Sequence, residues 1–254
     1  WEMKVGAKTN KAQLKFTVGM QGSLPCTFNI FTEKSALCED KTIPQVILDY
    51  KENKSGIVVF DRGVQKRTTF VNFSEEKIIF VSRIKTNVNY KCIEVNNYLP
   101  EENKDVQIQD DLKINFIKRG SNKPIETPFR LIKSVRKETK APIYFITNNF
   151  ELTPYEIANI YKKRWEIEVY FKFIKQELNF KHLVNRSMNG IKVMMYMTMI
   201  MSILIEIYKK ENNKKGYKIV KLEIVNEIYD SLLREVVILS GGDPNLITKY
   251  LSDG

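Results

Sequence analysis

The chain has one histidine, His182, and three cysteines, Cys26, Cys38 and Cys92, among its 254 residues. An odd number of thiols without metal-ligand spacing supports neither a disulfide scaffold nor a structural zinc site, and a reducing cytoplasm suits it best. The same scarcity argues against a Cys/His or Ser/His nucleophile, because no acid in a recognisable motif would orient His182, which reads as structural. Long apolar runs are missing too. The most apolar stretch, Val193 to Ile205, contains Thr198 and Ser202 and stops at Glu206. That is short of the ~20 residues a membrane span needs, so it reads as a buried core helix and no membrane partner is expected. Its methionines, Met194, Met195, Met197, Met199 and Met201, read as adaptable core packing. No amino-terminal targeting signal is visible, and strand-like sequence follows Trp1 almost at once, so the chain is expected to begin inside a larger protein. Acidic side chains are in deficit, 30 against 41 basic ones, for a formal charge of +11. Such a surplus favours a polyanionic partner through phosphate neutralisation, although a merely lysine-rich surface would give the same count.

What is present suffices for a soluble globular core: 43% of the residues are hydrophobic, and the length suits one large domain or two small ones. Leu14 to Val18 and Cys26 to Phe31 read as an antiparallel strand pair around the turn-rich Gln21-Gly22-Ser23-Leu24-Pro25. A helix is expected from about Ile43 to Glu52. Gly56 to Phe60 reads as a buried strand that ends on Asp61-Arg62-Gly63, a carboxylate at a strand's carboxyl end, where open α/β sheets build their sites. A helix over Gln65 to Glu76 and a strand over Ile78 to Ile84 follow. The texture from 85 to 141 turns polar and turn-rich with short β-prone runs such as Leu112 to Ile117, which predicts an inserted β-rich subdomain. The expected division is 1–84, the first part of a core, 85–141, the insertion, and 142–254, the second part. Pro142 to Thr147 returns to a buried-strand pattern. Thr153, Pro154 and Glu156 then supply an N-cap, a first-turn proline and a capping-box acid. Two more helices are expected, from about Ile191 to Lys209 and from Val220 to Leu239, joined by a basic turn.

The helix opened by Thr153 carries Tyr161, Arg164, Glu168 and Lys175. On one continuous helix these offsets fall within an arc of roughly 60°, so an acid, two cations and a phenol share a stripe fit to hold a metal ion beside a phosphate. Ile160, Ile167, Phe171, Ile174 and Leu178 fill the neighbouring arc and anchor the helix. The bland alternative is a solvated face with an Arg164–Glu168 ion pair four residues apart. Asp61, in turn, could be an ordinary turn residue. Together, a strand-end Asp61 and a helix-borne Glu168 fit paired acids that hold magnesium for phosphoryl transfer.

The segments Val58 to Gly63, Phe80 to Lys85, Ile143 to Asn148 and Ile157 to Lys175, with its Arg-Trp-Glu-Ile-Glu core, are similar in order and content to bacterial insertion-sequence DDE transposases of the IS-four type, with their YREK signature. The likeness covers nearly the whole chain. It implies an α/β fold with a ribonuclease H-like catalytic core and a β-rich insertion before the signature helix. It also implies cleavage and strand transfer on double-stranded DNA, at transposon ends and target, with two Mg2+ ions or Mn2+ in their place. A homodimer in the synaptic complex and a bacterial cytoplasm, associated with the nucleoid, go with it. Asp61 resembles the family triad's second acid and Glu168 its third, both catalytic and metal-binding. Tyr161, Arg164 and Lys175 resemble the residues that grip DNA near the cut, and Arg83 matches a strand-borne arginine.

Val64 departs from the aromatic residue common after Asp-x-Gly. A larger departure is the absence of any aspartate before Asp40. The family's first acid lies on its opening strand, and neither Asp40 nor Asp49, in or beside a helix, is a good substitute. The chain therefore reads as a truncated transposase that keeps two of three metal ligands and is inactive alone. Two competing readings are an inactive or domesticated DNA-binding remnant and a nuclease on the same fold.

Overall fold

The computed structural model describes residues 2–5, 12–31, 38–50, 56–118, 120–178 and 187–245, and His182 lies outside them. The chain divides into two compact units, Trp1–Glu168 and Val169–Gly254.

In the first unit, strands β1 (Glu2–Val5), β2 (Ala12–Gln21) and β3 (Leu24–Phe31) form an antiparallel sheet. The expected β2–β3 pair closes on Gly22-Ser23, with Gln21 opposite Leu24. Gly22 has φ +60°, the left-handed conformation that a tight hairpin turn requires and glycine adopts without strain. Helix α1 (Glu39–Asp49) starts a turn earlier than expected, with Glu39 and Asp40 in a first turn whose free N–H groups favour negative charge.

A second sheet runs β4-β5-β9-β8-β7-β6. Its members are β4 (Ile57–Phe60), β5 (Ile79–Ile84), β6 (Tyr90–Val95), β7 (Val106–Ile117), β8 (Pro124–Arg136) and β9 (Pro142–Thr147), and β4 lies parallel to β5 across helix α2 (Arg67–Glu75). Residues 85–141 are β-rich, as read from their texture, but β6, β7 and β8 continue this sheet through β9 instead of forming one of their own. Side chains on successive residues of a strand face opposite ways, and the two cores follow that rule. Phe80 and Ile146 join Phe60, Phe70, Phe73, Phe116 and Phe129 on one side. Val81, Phe145 and Ile143 join Tyr155, Ile157, Ala158 and Tyr161 of helix α3 (Pro154–Lys162) on the other. The sheet is thus the middle layer between α2 and α3.

α3 starts where the sequence places it. Thr153 Oγ1 accepts from the Glu156 N–H while the Glu156 carboxylate accepts from the Thr153 N–H, a complete capping box with Pro154 in the first turn. The continuous signature helix, however, is two helices. α3 ends at Lys162 and α4 (Trp165–Gln176) begins three residues later. The N–H groups of Lys163, Arg164, Glu166 and Ile167 each bond the carbonyl three residues back. Such bonds wind the chain at about three residues per turn and break the single 3.6-residue stripe.

In the second unit, α5 (Met188–Glu211) and α6 (Tyr217–Leu239) are joined by a basic turn. α5 takes in the helix expected from about Ile191 to Lys209 but corrects its reading as a buried core helix: it spans 24 residues, only one face is buried, and among the described helices it alone is long and apolar enough to cross a membrane by length and composition. One face, Ile191, Met195, Met199, Ser202, Ile205 and Glu206, is buried. Tyr170 of α4 bonds Ser202 Oγ at 2.7 Å on that face. Val193, Met197, Ile200 and Leu204, on the opposite face, are more than half exposed.

Candidate active site

β4 delivers Asp61 to the carboxyl edge of the sheet. Ser82 Oγ of β5 donates to the carbonyl of Phe60 at 3.0 Å, fixing the residue just before the acid. Asp61 itself is exposed, and its Oδ1 accepts from the Arg62 N–H at 2.7 Å and from the Tyr161 hydroxyl at 3.3 Å. The loop after it is held from α1. Asp40 Oδ1 accepts from the N–H groups of Gln65 at 2.6 Å and Lys66 at 3.2 Å, just ahead of α2. The Glu39 carboxylate packs against Gly63 so closely that a Cβ there would lie 1.8 Å from its Oε2. Sequence reasoning set Asp40 aside as a metal ligand and gave Glu39 no role. Both act instead on the loop that presents Asp61, and their separation of more than twenty residues from that loop hid this.

Tyr161, in the last turn of α3, is buried against Phe145, with ring centroids 5.4 Å apart. The guanidinium carbons of Arg83 and Arg164 stand 5.8 and 5.6 Å from its ring centroid. Burial first, and the Asp61 carboxylate after it, push the phenol above its usual range against the opposing pull of the two arginines. The hydroxyl therefore stays protonated at neutral pH and donates to Asp61. Arg164 sits in the turn between the two helices, and its Nη1 donates to Glu168 Oε1 at 2.7 Å. Burial works against its charge, yet the Glu168 hydrogen bond, with Tyr161 and Asp61 nearby, outweighs that and raises its pKa. Its Nε is buried with no acceptor among the described residues, the kind of orphaned donor that a bound anion completes.

The structure thus gathers Asp61, Arg83, Tyr161, Arg164 and Glu168 in the first unit. Lys175 belongs to the second, in the last turn of α4, with its ammonium 5.5 Å from the Phe171 ring centroid. The approach of α3 depends on a buried ion pair that the sequence did not reveal. Arg130 of β8 bonds Asp111 of β7 through Nε at 2.9 Å and Nη2 at 2.6 Å, both side chains almost fully buried. Its Nη1 reaches the carbonyls of Leu152 at 2.5 Å and Asn149 at 3.5 Å. It thereby pins the loop leading into α3.

Two carboxylates offer hard oxygen donors of the kind that divalent cations such as magnesium prefer. Asp61 and Glu168 fit a metal ion in donor chemistry, but among the described residues no third acid completes a cluster.

A strand-end acid and a helix-borne acid on an α/β sheet place the molecule with known relatives: the family described as "Transposase DDE domain" matches residues 7–204, and the chain belongs to it. Transposase y4zB of Sinorhizobium fredii is 27% identical over 154 residues, 61% of this chain and 43% of that protein. The transposase for insertion sequence element IS5377 of Geobacillus stearothermophilus is 23% identical over 182 residues, 71% of this chain and 47% of that one. The transposase for IS4SA of Synechocystis is 28% identical over 155 residues, 61% of this chain and 41% of that one. The chain therefore spans less than half the length of the curated relatives it matches. A solved piggyBac transposase, in a synaptic complex with hairpin DNA, shares the fold at a TM-score of 0.51 and 9% identity, covering 93% of this chain and 50% of that one. The core is ribonuclease H-like.

Proposed function

We propose that this chain is the catalytic domain of a transposase that cleaves DNA at transposon ends and transfers the strand. The observation that carries it is the meeting of Asp61, Tyr161, Arg164 and Glu168 inside the part of the chain matched by the family. Asp61 and Glu168 would hold the divalent metal ions that DDE transposases use, Mg2+ before Mn2+. Bound there, the metal would activate a water or a DNA 3′ hydroxyl and stabilise the leaving oxygen.

The chain's own side chains prepare that chemistry. Tyr161 orients the Asp61 carboxylate through Oδ1. Arg164 offsets the charge of the paired acids and has donors for a backbone phosphate, beside Arg83. Lys175 would add a phosphate contact from the last turn of α4. With two acids gathered among the described residues, these 254 residues should bind DNA without cutting it. That also keeps alive the reading of a DNA-binding remnant. We further propose a homodimer, supported by exposed apolar stripes on α5 and α6, and action at the nucleoid in a reducing cytoplasm, supported by three free, exposed cysteines.

The test uses the full natural protein in magnesium. Asp61→Asn and Glu168→Gln should each abolish nicking of DNA carrying the element's ends while leaving end binding nearly intact. Nicking at the unaltered rate by either variant overturns the assignment.

A further inference from the structure

A cleft of about 860 Å³ opens beside the Asp61–Glu168 site. One wall is the turn between α3 and α4, with Tyr161, Lys163 and Arg164. The other is the paired ends of β7 and β8, where Val106 lies opposite Arg136 and Lys104 precedes the strand. Arg83 and Phe145 also line it. The walls are tied together by Asn103 Nδ2 donating to Asn159 Oδ1 at 3.1 Å and by a Lys162–Asp105 ion pair at 2.6 Å.

The charges in this cleft are unequal. Six cations, Arg83, Lys104, Arg136, Lys162, Lys163 and Arg164, line it with three acids, Asp105, Glu138 and Glu166. Lys162 pairs with Asp105, and Arg164 with Glu168. Lys104, Arg136 and Lys163 are exposed, and among the described residues no carboxylate lies within ion-pair distance of them or of Arg83. Surface lysines alone would mean little. These cations, however, line a single cleft together with Arg83, Tyr161 and Arg164, the neighbours of the acid pair, and the cleft has room for a few nucleotides but not for a turn of duplex. A positively charged groove of that size that tracks a backbone is how proteins hold a single nucleic-acid strand.

We infer that this cleft guides one DNA strand away from the Asp61–Glu168 site, with Lys104 just ahead of β7 and Arg136 at the end of β8 taking its phosphates. The inference rests on the DNA-processing reading of that site and adds two positioning residues from a part of the chain that carries none of the family's signature. Lys104 and Arg136 touch no residue of the acid pair, so their loss should weaken strand capture and leave the site's own geometry alone.

The experiment measures anisotropy of the 254-residue chain with a labelled duplex, blunt or carrying a ten-nucleotide single-stranded extension, between about 50 and 200 mM salt. The unaltered chain should prefer the extended probe. Lys104→Ala and Arg136→Ala should each flatten the salt slope for that probe by roughly 0.7, the value for a single-strand phosphate contact, and the double variant should lose the preference. Lys91→Ala on edge strand β6 removes the same charge outside the cleft and should retain it. Circular dichroism checks that the exposed substitutions leave the fold intact. If the chain binds both probes equally, or if the double variant keeps the preference, the strand path is wrong and the proposed function stands. If free deoxynucleotide displaces the extended probe as readily as unlabelled single strand does, the cleft is a mononucleotide site and the inference falls. If the unaltered chain binds no DNA, the DNA reading falls and takes the inference with it.

Discussion

Arg164 is the residue on which most of the site's electrostatics turn. It faces Tyr161, Asp61 and Glu168 at once, and a guanidinium can meet an acid with one edge and a phosphate with another because its donors form a rigid fork. Lysine, a point charge, cannot. Arg164→Ala should flatten the salt slope for DNA by about one unit, as the loss of one phosphate contact requires. Arg164→Lys should recover the slope but not the affinity, since charge returns and the fork does not. Fluorescence titration at several salt concentrations distinguishes the two, and an unchanged slope in Arg164→Ala would sink the phosphate role. The local order around this residue was legible in part. The Tyr161, Arg164 and Glu168 spacing and the strand-end Asp61 could be read directly, because each depends on short-range periodicity. The hold of Asp40 and Glu39 on the Asp61 loop could not, since it joins residues that are neighbours only after α1 and β4 have packed.

At the level of elements, the start of α3 was written in the sequence and its end was not. A capping box is a four-residue pattern with its own hydrogen bonds, whereas the switch to three-residue turns at Lys163 leaves no comparable mark in composition. The path into α3 depends on the Arg130–Asp111 pair, and removing one member leaves the other charge buried and unpaired. Arg130→Met should cost about 3–5 kcal/mol, and Arg130→Met with Asp111→Leu should recover part of it. Urea melts of the single and double variants check this; equal losses would mean the pair is not coupled.

The α5–α6 hairpin offers a pH-dependent counterpart. The Tyr208 hydroxyl donates to Glu227 Oε1 at 2.5 Å, and this hydrogen bond, the main cause, raises its pKa from 10.0 to about 12. A raised folded-state pKa gives stability that is whole below pH 10 and is lost as pH climbs toward 12. Between those limits the melting temperature of the unaltered protein should fall more than that of Tyr208→Phe. Parallel curves for the two proteins would remove Glu227 as the partner that matters.

At the scale of the whole molecule, charge and apolar surface point to different partners. The +11 surplus was plain from composition and suits DNA. The apolar surface was not plain, because an apolar run says how much a helix could bury and not which of its faces finds a neighbour. On α6, Leu222, Val225, Tyr229, Leu232, Val236 and Leu239 recur at alternating three- and four-residue steps, and all are exposed, Leu239 to 83%. On α5, Val193, Met197, Ile200, Leu204 and Ile207 repeat the same rhythm and are exposed as well. That rhythm is the seam of helices that pack side by side on other helices. The two stripes together leave eleven large apolar side chains open to water. Left open to water, so large a patch would drive association. In the homodimer proposed above, a second copy would cover it with the same surface used twice. The chain should therefore run as a dimer by light scattering at micromolar concentration, and Tyr229→Glu with Leu232→Glu should convert it to a monomer with unchanged helix content. A monomer before substitution would overturn the dimer. Sedimentation with lipid vesicles, abolished by substitutions in the α5 stripe, would show instead that its apolar face meets a membrane.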